Sequence, residues 1–197
     1  MNDSLLSELL HMQRRDEDMR ARLLAEGRLY GIYVQEMQQV HRENAHRLEE
    51  LIVQHGWPGV AKVGIEGCRA AWTIAQHAIC TPAAQRGFLL ALSDAAQAGD
   101  APKRLAAMLA DRIRFNENRP QLYGTVLDWD EDGELTCELE DPANVDARRA
   151  EAGLPPFEEE RRRQQDAVRA EGGKPPADFA RYTQEKREWA RSVGWIR

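Results

Sequence analysis

The sequence predicts a mainly α fold: a helical bundle with a small β-hairpin and a C-terminal helical extension. Three observations predict it. Apolar residues recur in steps of three and four over most of the first 115 positions. Glycine, proline and capping residues interrupt these runs at helix-length intervals. Only after Asn116 do short β-prone runs appear, flanking the turn-forming Asp130-Glu131-Asp132-Gly133.

Leu5, Leu9, Met12, Asp16, Met19 and Leu23 define a first helix over about 4–26, with Ser4 as N-cap and Gly27 as terminator. Leu29, Tyr33, Met37, Val40, Asn44, Leu48 and Leu51 define a second over about 28–54, stopped by Gly56-Trp57-Pro58-Gly59. The third, about Glu66 to Ile79, is apolar nearly all round, which marks a central helix. Thr81-Pro82 opens a fourth that runs to about Ala98. A fifth covers about Pro102 to Phe115. Strands are expected at Tyr123–Trp129 and Glu134–Leu139, then short helices near Val145–Ala152 and Phe157–Glu171. The Gly172–Pro176 stretch reads as a linker, and a last helix docks through Phe179, Tyr182, Trp189 and Trp195. The expected organisation is a bundle domain with its hairpin over 1–163, followed by a linker and helix over 164–197.

Composition bounds the function. The chain has 197 residues, 42% hydrophobic and 30% charged, and a net charge of −6, so a nucleic-acid partner is not expected. No secretory signal and no membrane-length apolar run is visible. Three cysteines without a CxxC pair fit reduced thiols, and the expected location is cytoplasmic.

Chemistry is expected where helices break their own apolar stripes with a polar residue: Asp16, Asn44, His77 and Arg112. Left unpaired in a core, each would cost roughly a few kcal/mol, so they either meet partners or build a site. His77 is the candidate proton carrier, because a half-buried imidazole titrates near neutral pH. The alternative is a core histidine satisfied by a carbonyl or carboxylate. Arg112 cannot shed its proton, so it needs a carboxylate or a bound anion. Asp16 or Asp111 would set the tautomer of the imidazole. Asn44, Gln76, Gln121, Tyr123 and the loop residue Trp57 are the candidate substrate-orienting groups. Each has a structural alternative in helix pairing or loop packing.

Other chemistries are weaker. Glu43-x-x-His46 resembles one half of a di-iron site, but no second copy exists, and His46 should face water. No metal and no organic cofactor is expected. Cys80, one turn from His77, reads as a small buried thiol. There is no nucleophile elbow, P-loop or dinucleotide fingerprint.

The chain resembles a bacterial family catalogued as domain of unknown function 6624. The matching stretches are Met12-x3-Asp16 with Arg20, Asn44-x3-Leu48, Gly56-Trp57-Pro58 with Val63-Gly64, Ala71-Trp72 and Gln76-His77. They continue through Asp111-Arg112, Gln121-x-Tyr123-Gly124-Thr125, Asp141-Pro142, Arg148-Arg149 and Gly153-Leu154, within about residues 5–163. The resemblance implies no particular activity. It marks Asp16, Asn44, His77, Asp111 and Arg112 as motif positions. Glu17 and Val126 depart from the glutamines usual in that pattern.

The expected function is a small-molecule enzyme using His-centred acid/base chemistry on an anionic substrate by hydrolysis, elimination or intramolecular cyclisation. The competing expectation is a non-enzymatic interaction module whose polar seam specifies helix pairing, with a protein partner on the acidic hairpin or C-terminal helix. Pocket geometry discriminates between them: a His77 sealed from solvent and fully hydrogen bonded favours the second, and a His77 lining an open cavity with Arg112 within a ligand's length favours the first.

Overall fold

The computed structural model describes residues 2–29 and 33–197. It is mainly α-helical, with eight α-helices among the described residues. The chain forms two compact units, Met1–Leu109 and Ala110–Arg197. The boundary falls inside one helix, where the sequence carries no linker signal. Residue 163, where the sequence suggested a division, lies within a continuous helix.

The first unit contains α1 (Asp3–Ala25), α2 (Gln35–His55), α3 (Val60–His77), α4 (Pro82–Gln97) and the start of α5 (Lys103–Asn116). Helix α3 packs against α1, α2 and α4, the central position its apolar composition calls for. Leu9, Leu48, Leu51, Ile74, Phe88 and Leu92 form much of the core at 0–2% exposure. Each such side chain contributes about 1.5–3 kcal/mol by leaving water. Gly67 lets α1 and α3 approach closely, since a Cβ there would lie 2.9 Å from Leu6 Cδ1.

Helix boundaries depart from expectation where a local bond outcompetes the periodicity. Asn2, not Ser4, caps α1, its side chain accepting from the Leu5 amide at 3.0 Å. Helix α2 starts at Gln35 after an extended Val34, so Tyr33 lies outside it; positions 30–32 of the expected helix fall outside the described residues. Helix α3 starts at Val60 and is broken at Gly64, whose φ of 73° and ψ of 174° are not helical.

The second unit holds the rest of α5, the hairpin β1 (Asp128–Trp129) and β2 (Leu135–Thr136), then α6 (Val145–Ala152), α7 (Phe157–Ala170) and α8 (Phe179–Val193). The strands are antiparallel, pairing Asp128 with Thr136 and Trp129 with Leu135. They are shorter than the sequence suggests. Residues 122–126 bond to side chains of α5 and α6 and to Gln121 instead of extending the ladder, while the Gln121 main chain makes an isolated parallel bridge with Leu139. The hairpin and α8 cover one another: Tyr182 donates to Asp128 at 2.5 Å, Lys186 pairs with the same carboxylate, and Trp195 is buried.

Candidate functional site

Three helices of the first unit deliver Asp16, His41 and His77 to one point. Asp16 sits in the middle of α1, four residues after Met12 on its buried stripe. His41 sits in the second turn of α2, four residues after Met37 and three before Asn44. His77 is the last residue of α3, three after Ile74. These spacings keep each side chain on the core face of its helix.

The Asp16 carboxylate is shared by the two imidazoles. His77 Nδ1 donates to Oδ2 at 2.6 Å, and His41 Nε2 donates to Oδ1 at 3.2 Å. The rings lie 5.1 Å apart between centroids. The Tyr33 hydroxyl donates to His41 Nδ1. Directionality then fixes both neutral tautomers. His41 carries its proton on Nε2, and His77 carries its own on Nδ1, leaving Nε2 with a free lone pair. His77 Nε2 has no partner among the described residues. The side chains of Asp16 and His41 are 3% and 7% exposed, whereas that of His77 is 37% exposed. The unpartnered nitrogen therefore belongs to the one member of the cluster that opens outward.

Surrounding polar groups hold this arrangement. Gln85 of α4 is fully buried and donates to the carbonyls of Ala75 and Gln76 at 2.6 and 3.1 Å, fixing the end of α3 beside His77. Asn44 donates to the Met12 carbonyl at 3.0 Å, tying α2 to α1 one turn from Asp16. Gln38 donates to the Tyr33 carbonyl at 2.7 Å, and the Cys80 thiol donates to Gln38 Oε1 at 3.9 Å.

The electrostatics follow from burial and pairing. Burial alone would raise the Asp16 pKa. Hydrogen bonds from His41 and His77, with their charge, outweigh it and hold the carboxyl well below the usual carboxylate range. Burial lowers the His41 pKa despite the Asp16 contact, so this imidazole resists a second proton. Burial raises the Tyr33 and Cys80 pKa values, keeping a neutral phenol and a neutral thiol. Cys80 is thus a poor nucleophile.

The other residues expected to build the site are distributed between structural and open roles. Gln76 is buried on α3, its amide reaching the Met108 carbonyl at 3.5 Å. Trp57 is a packed loop residue, 6% exposed. In the second unit Asp111 is fully buried, and its carboxylate is taken up by the amides of Leu122, Tyr123 and Thr125 at 2.8–3.2 Å and the Thr125 hydroxyl at 3.1 Å. Gln121 closes the same loop, bonding both ways with the Val126 backbone at 2.7 and 3.0 Å. Val126 therefore engages Gln121 through its main chain. Arg149 is 1% exposed and donates to the carbonyls of Pro155, Tyr123 and Gly124. Arg148 donates to those of Leu122 and Asp141. Gly124 holds a φ of 66°, and a Cβ there would lie 2.5 Å from the Phe157 ring. The Asp111, Gln121–Thr125 and Arg148-Arg149 motifs are thus one braced loop. Arg112 differs: its Nε is buried without a partner, it makes no ion pair among the described residues, and the Phe115 ring lies 6.0 Å away. Burial pushes its pKa down to about 10, partly offset by Asp128, so it stays charged at neutral pH.

His41, Tyr33 and Gln85 are members of this cluster or its hydrogen-bonded surroundings that the sequence did not single out. His41 left a signal: positions 37, 41, 44, 48 and 51 form an unbroken stripe in which Val40 stood in its place. Tyr33 and Gln85 left none, since their roles depend on tertiary approach. Asp16, His41 and His77 are also the group of metal-capable side chains among the described residues, each offering one ligand atom within 4.8 Å of the others. Glu43 and His46 do not form one. His46 is 76% exposed beside Glu50, and Glu43 pairs with Arg15.

Residues 3–176 match a family described as being of unknown function. No curated protein and no solved structure matches the chain. No described helix is long and apolar enough to cross a membrane.

Proposed function

The chain belongs to DUF6624, a family of unknown function, and from its site we propose that it is a small-molecule enzyme whose proton carrier is His77. One observation carries this reading: His77 donates Nδ1–H to a buried carboxylate while its unpartnered Nε2 belongs to a ring 37% exposed. A histidine sealed in the core would need a partner at each nitrogen, whereas this one leaves Nε2 to solvent or a ligand.

In this mechanism His77 Nε2 takes a proton from a water or a substrate C–H or O–H group. Asp16, held ionised, stabilises the imidazolium that forms and fixes the ring. The proton then passes from Nε2 to the leaving group or product. His41 is a positioning residue that holds the second carboxylate oxygen, and Tyr33 fixes its tautomer. General acid/base transfer of this kind contributes about 10²–10⁴-fold. Arg112, whose buried Nε has no hydrogen-bond partner among the described residues, is a separate candidate of the second unit for binding a carboxylate, phosphate or sulfate. Hydrolysis, elimination and ring closure all use an imidazole paired with a carboxylate in this way.

The test is turnover of a panel of anionic esters, lactones, amides and β-substituted acids by the wild type and by His77→Asn. The reading predicts turnover of at least one class and a loss of about 100-fold or more in kcat for the variant. A folded His77→Asn protein with undiminished turnover contradicts it. A second reading, a helical interaction module, draws support from Asn44, Gln76 and Gln85, whose amides tether neighbouring helices. The exposure of His77 favours the enzyme.

A further inference from the structure

We propose that Asp16, His41 and His77 form a binding site for one divalent transition-metal ion of the zinc, cobalt or iron(II) type. Two imidazole nitrogens and one carboxylate oxygen on three facing helices are the donor set such ions take in bundle interiors and in catalytic sites with open positions. The inference rests on the same three side chains but not on the enzyme reading.

Three observations carry it. The ligand atoms already converge within 4.8 Å, and each imidazole is within hydrogen-bond distance of a different carboxylate oxygen. An ion about 2.1 Å from each donor holds tetrahedral ligands about 3.4 Å apart, which small rotations of the imidazoles supply. Second, the Asp16 carboxylate is buried with no lysine or arginine pairing with it among the described residues, so a cation supplies the missing charge. Third, the outer shell is in place. With Nε2 on the metal, His41 donates its Nδ1–H to the Tyr33 oxygen, the kind of support that metal-bound histidines use. The tyrosine hydrogen then turns toward the Cys80 sulfur, which also hydrogen bonds Tyr33.

Binding needs no net proton release. Each neutral imidazole moves its proton to its other nitrogen: His41 from Nε2 to Nδ1, His77 from Nδ1 to Nε2. The half-exposed His77 side leaves room for water on the remaining positions. When bound, the ion would supply an activated water as the base in place of His77 Nε2. The two forms exclude one another at His77 Nδ1.

The experiment is titration of the full, metal-stripped chain with cobalt(II), followed by calorimetry and visible absorption. One equivalent with d–d bands of a nitrogen/oxygen site is expected. His41→Gln and His77→Gln should each weaken binding by about 100-fold or more, and His46→Gln should leave it unchanged. No binding, or binding that both core variants retain, overturns the proposal. Because these variants can disturb folding, the wild type supplies a second readout. A hyperfine-shifted exchangeable imidazole proton from the buried His41 is expected in the cobalt form, and its absence overturns the proposal. Turnover by the metal-stripped protein in chelator tests the His77 mechanism separately.

Discussion

Asp16 shows how one side chain can set the chemistry of two others. A buried carboxylate is costly unless hydrogen bonded, and here each oxygen receives one imidazole proton. The acid dependence of stability follows with a defined sign. The folded pKa of Asp16 lies below its ordinary 3.8, so its contribution is present above about pH 4 and lost as pH falls further. The folded pKa of His41 lies below its ordinary 6.5, so below that value the unfolded chain takes up a proton that the folded chain resists. Both groups therefore reduce stability on acidification, His41 first and Asp16 second. Urea unfolding across this range should show the first decline disappear in His41→Asn and the second diminish in Asp16→Asn. A variant with an unaltered profile would contradict the assignment. At this scale the sequence was partly legible. Asp16 and His77 broke apolar stripes and could be read directly. His41 sat on a stripe as well, but the neighbouring Val40 satisfied the periodicity and masked it.

Among the elements, the loop over 121–126 separates motif from mechanism. Asp111 and Arg112 are adjacent on α5, yet one carboxylate is saturated by three amides and a hydroxyl while the guanidinium beside it makes no ion pair among the described residues. Spacing alone could not distinguish them, because both positions look like interruptions of an apolar helix. Asp111→Ala would orphan the amides of Leu122, Tyr123 and Thr125, and a loss of about 3 kcal/mol or more is expected in chemical denaturation. A loss below about 1 kcal/mol would mean that the loop is braced otherwise. The helices themselves were readable from three- and four-residue periodicity, including the central place of α3. Their ends were less so. Asn2 and extended Val34 each override a periodic signal through one local feature, and positive-φ Gly64 separates a short opening turn from the helix expected from about Glu66. The strands were overestimated because β-prone residues at 123–127 are held by side chains rather than by a sheet partner.

For the whole molecule, the two compact units divide the family motifs by role. The first contains the Asp16, Asn44 and Gln76-His77 motifs that build and frame the imidazole pair, and the second contains the loop-bracing set. Helix α8 lies in the second unit and shares Asp128 with the hairpin through Tyr182 and Lys186. The acidic hairpin is thus already engaged by the C-terminal helix. The division at residues 109 and 110 was invisible in sequence because α5 crosses it with unbroken helical pattern. A cluster assembled from positions 16, 41 and 77 was equally beyond any motif of fixed spacing. Only helix packing creates it.

The most direct test of the account is the ¹⁵N spectrum of the histidine side chains in the metal-free protein at neutral pH. It predicts opposite neutral tautomers, His77 protonated at Nδ1 with a free Nε2, and His41 protonated at Nε2. A His77 imidazole protonated at Nε2, with no coupling to Asp16, would contradict it.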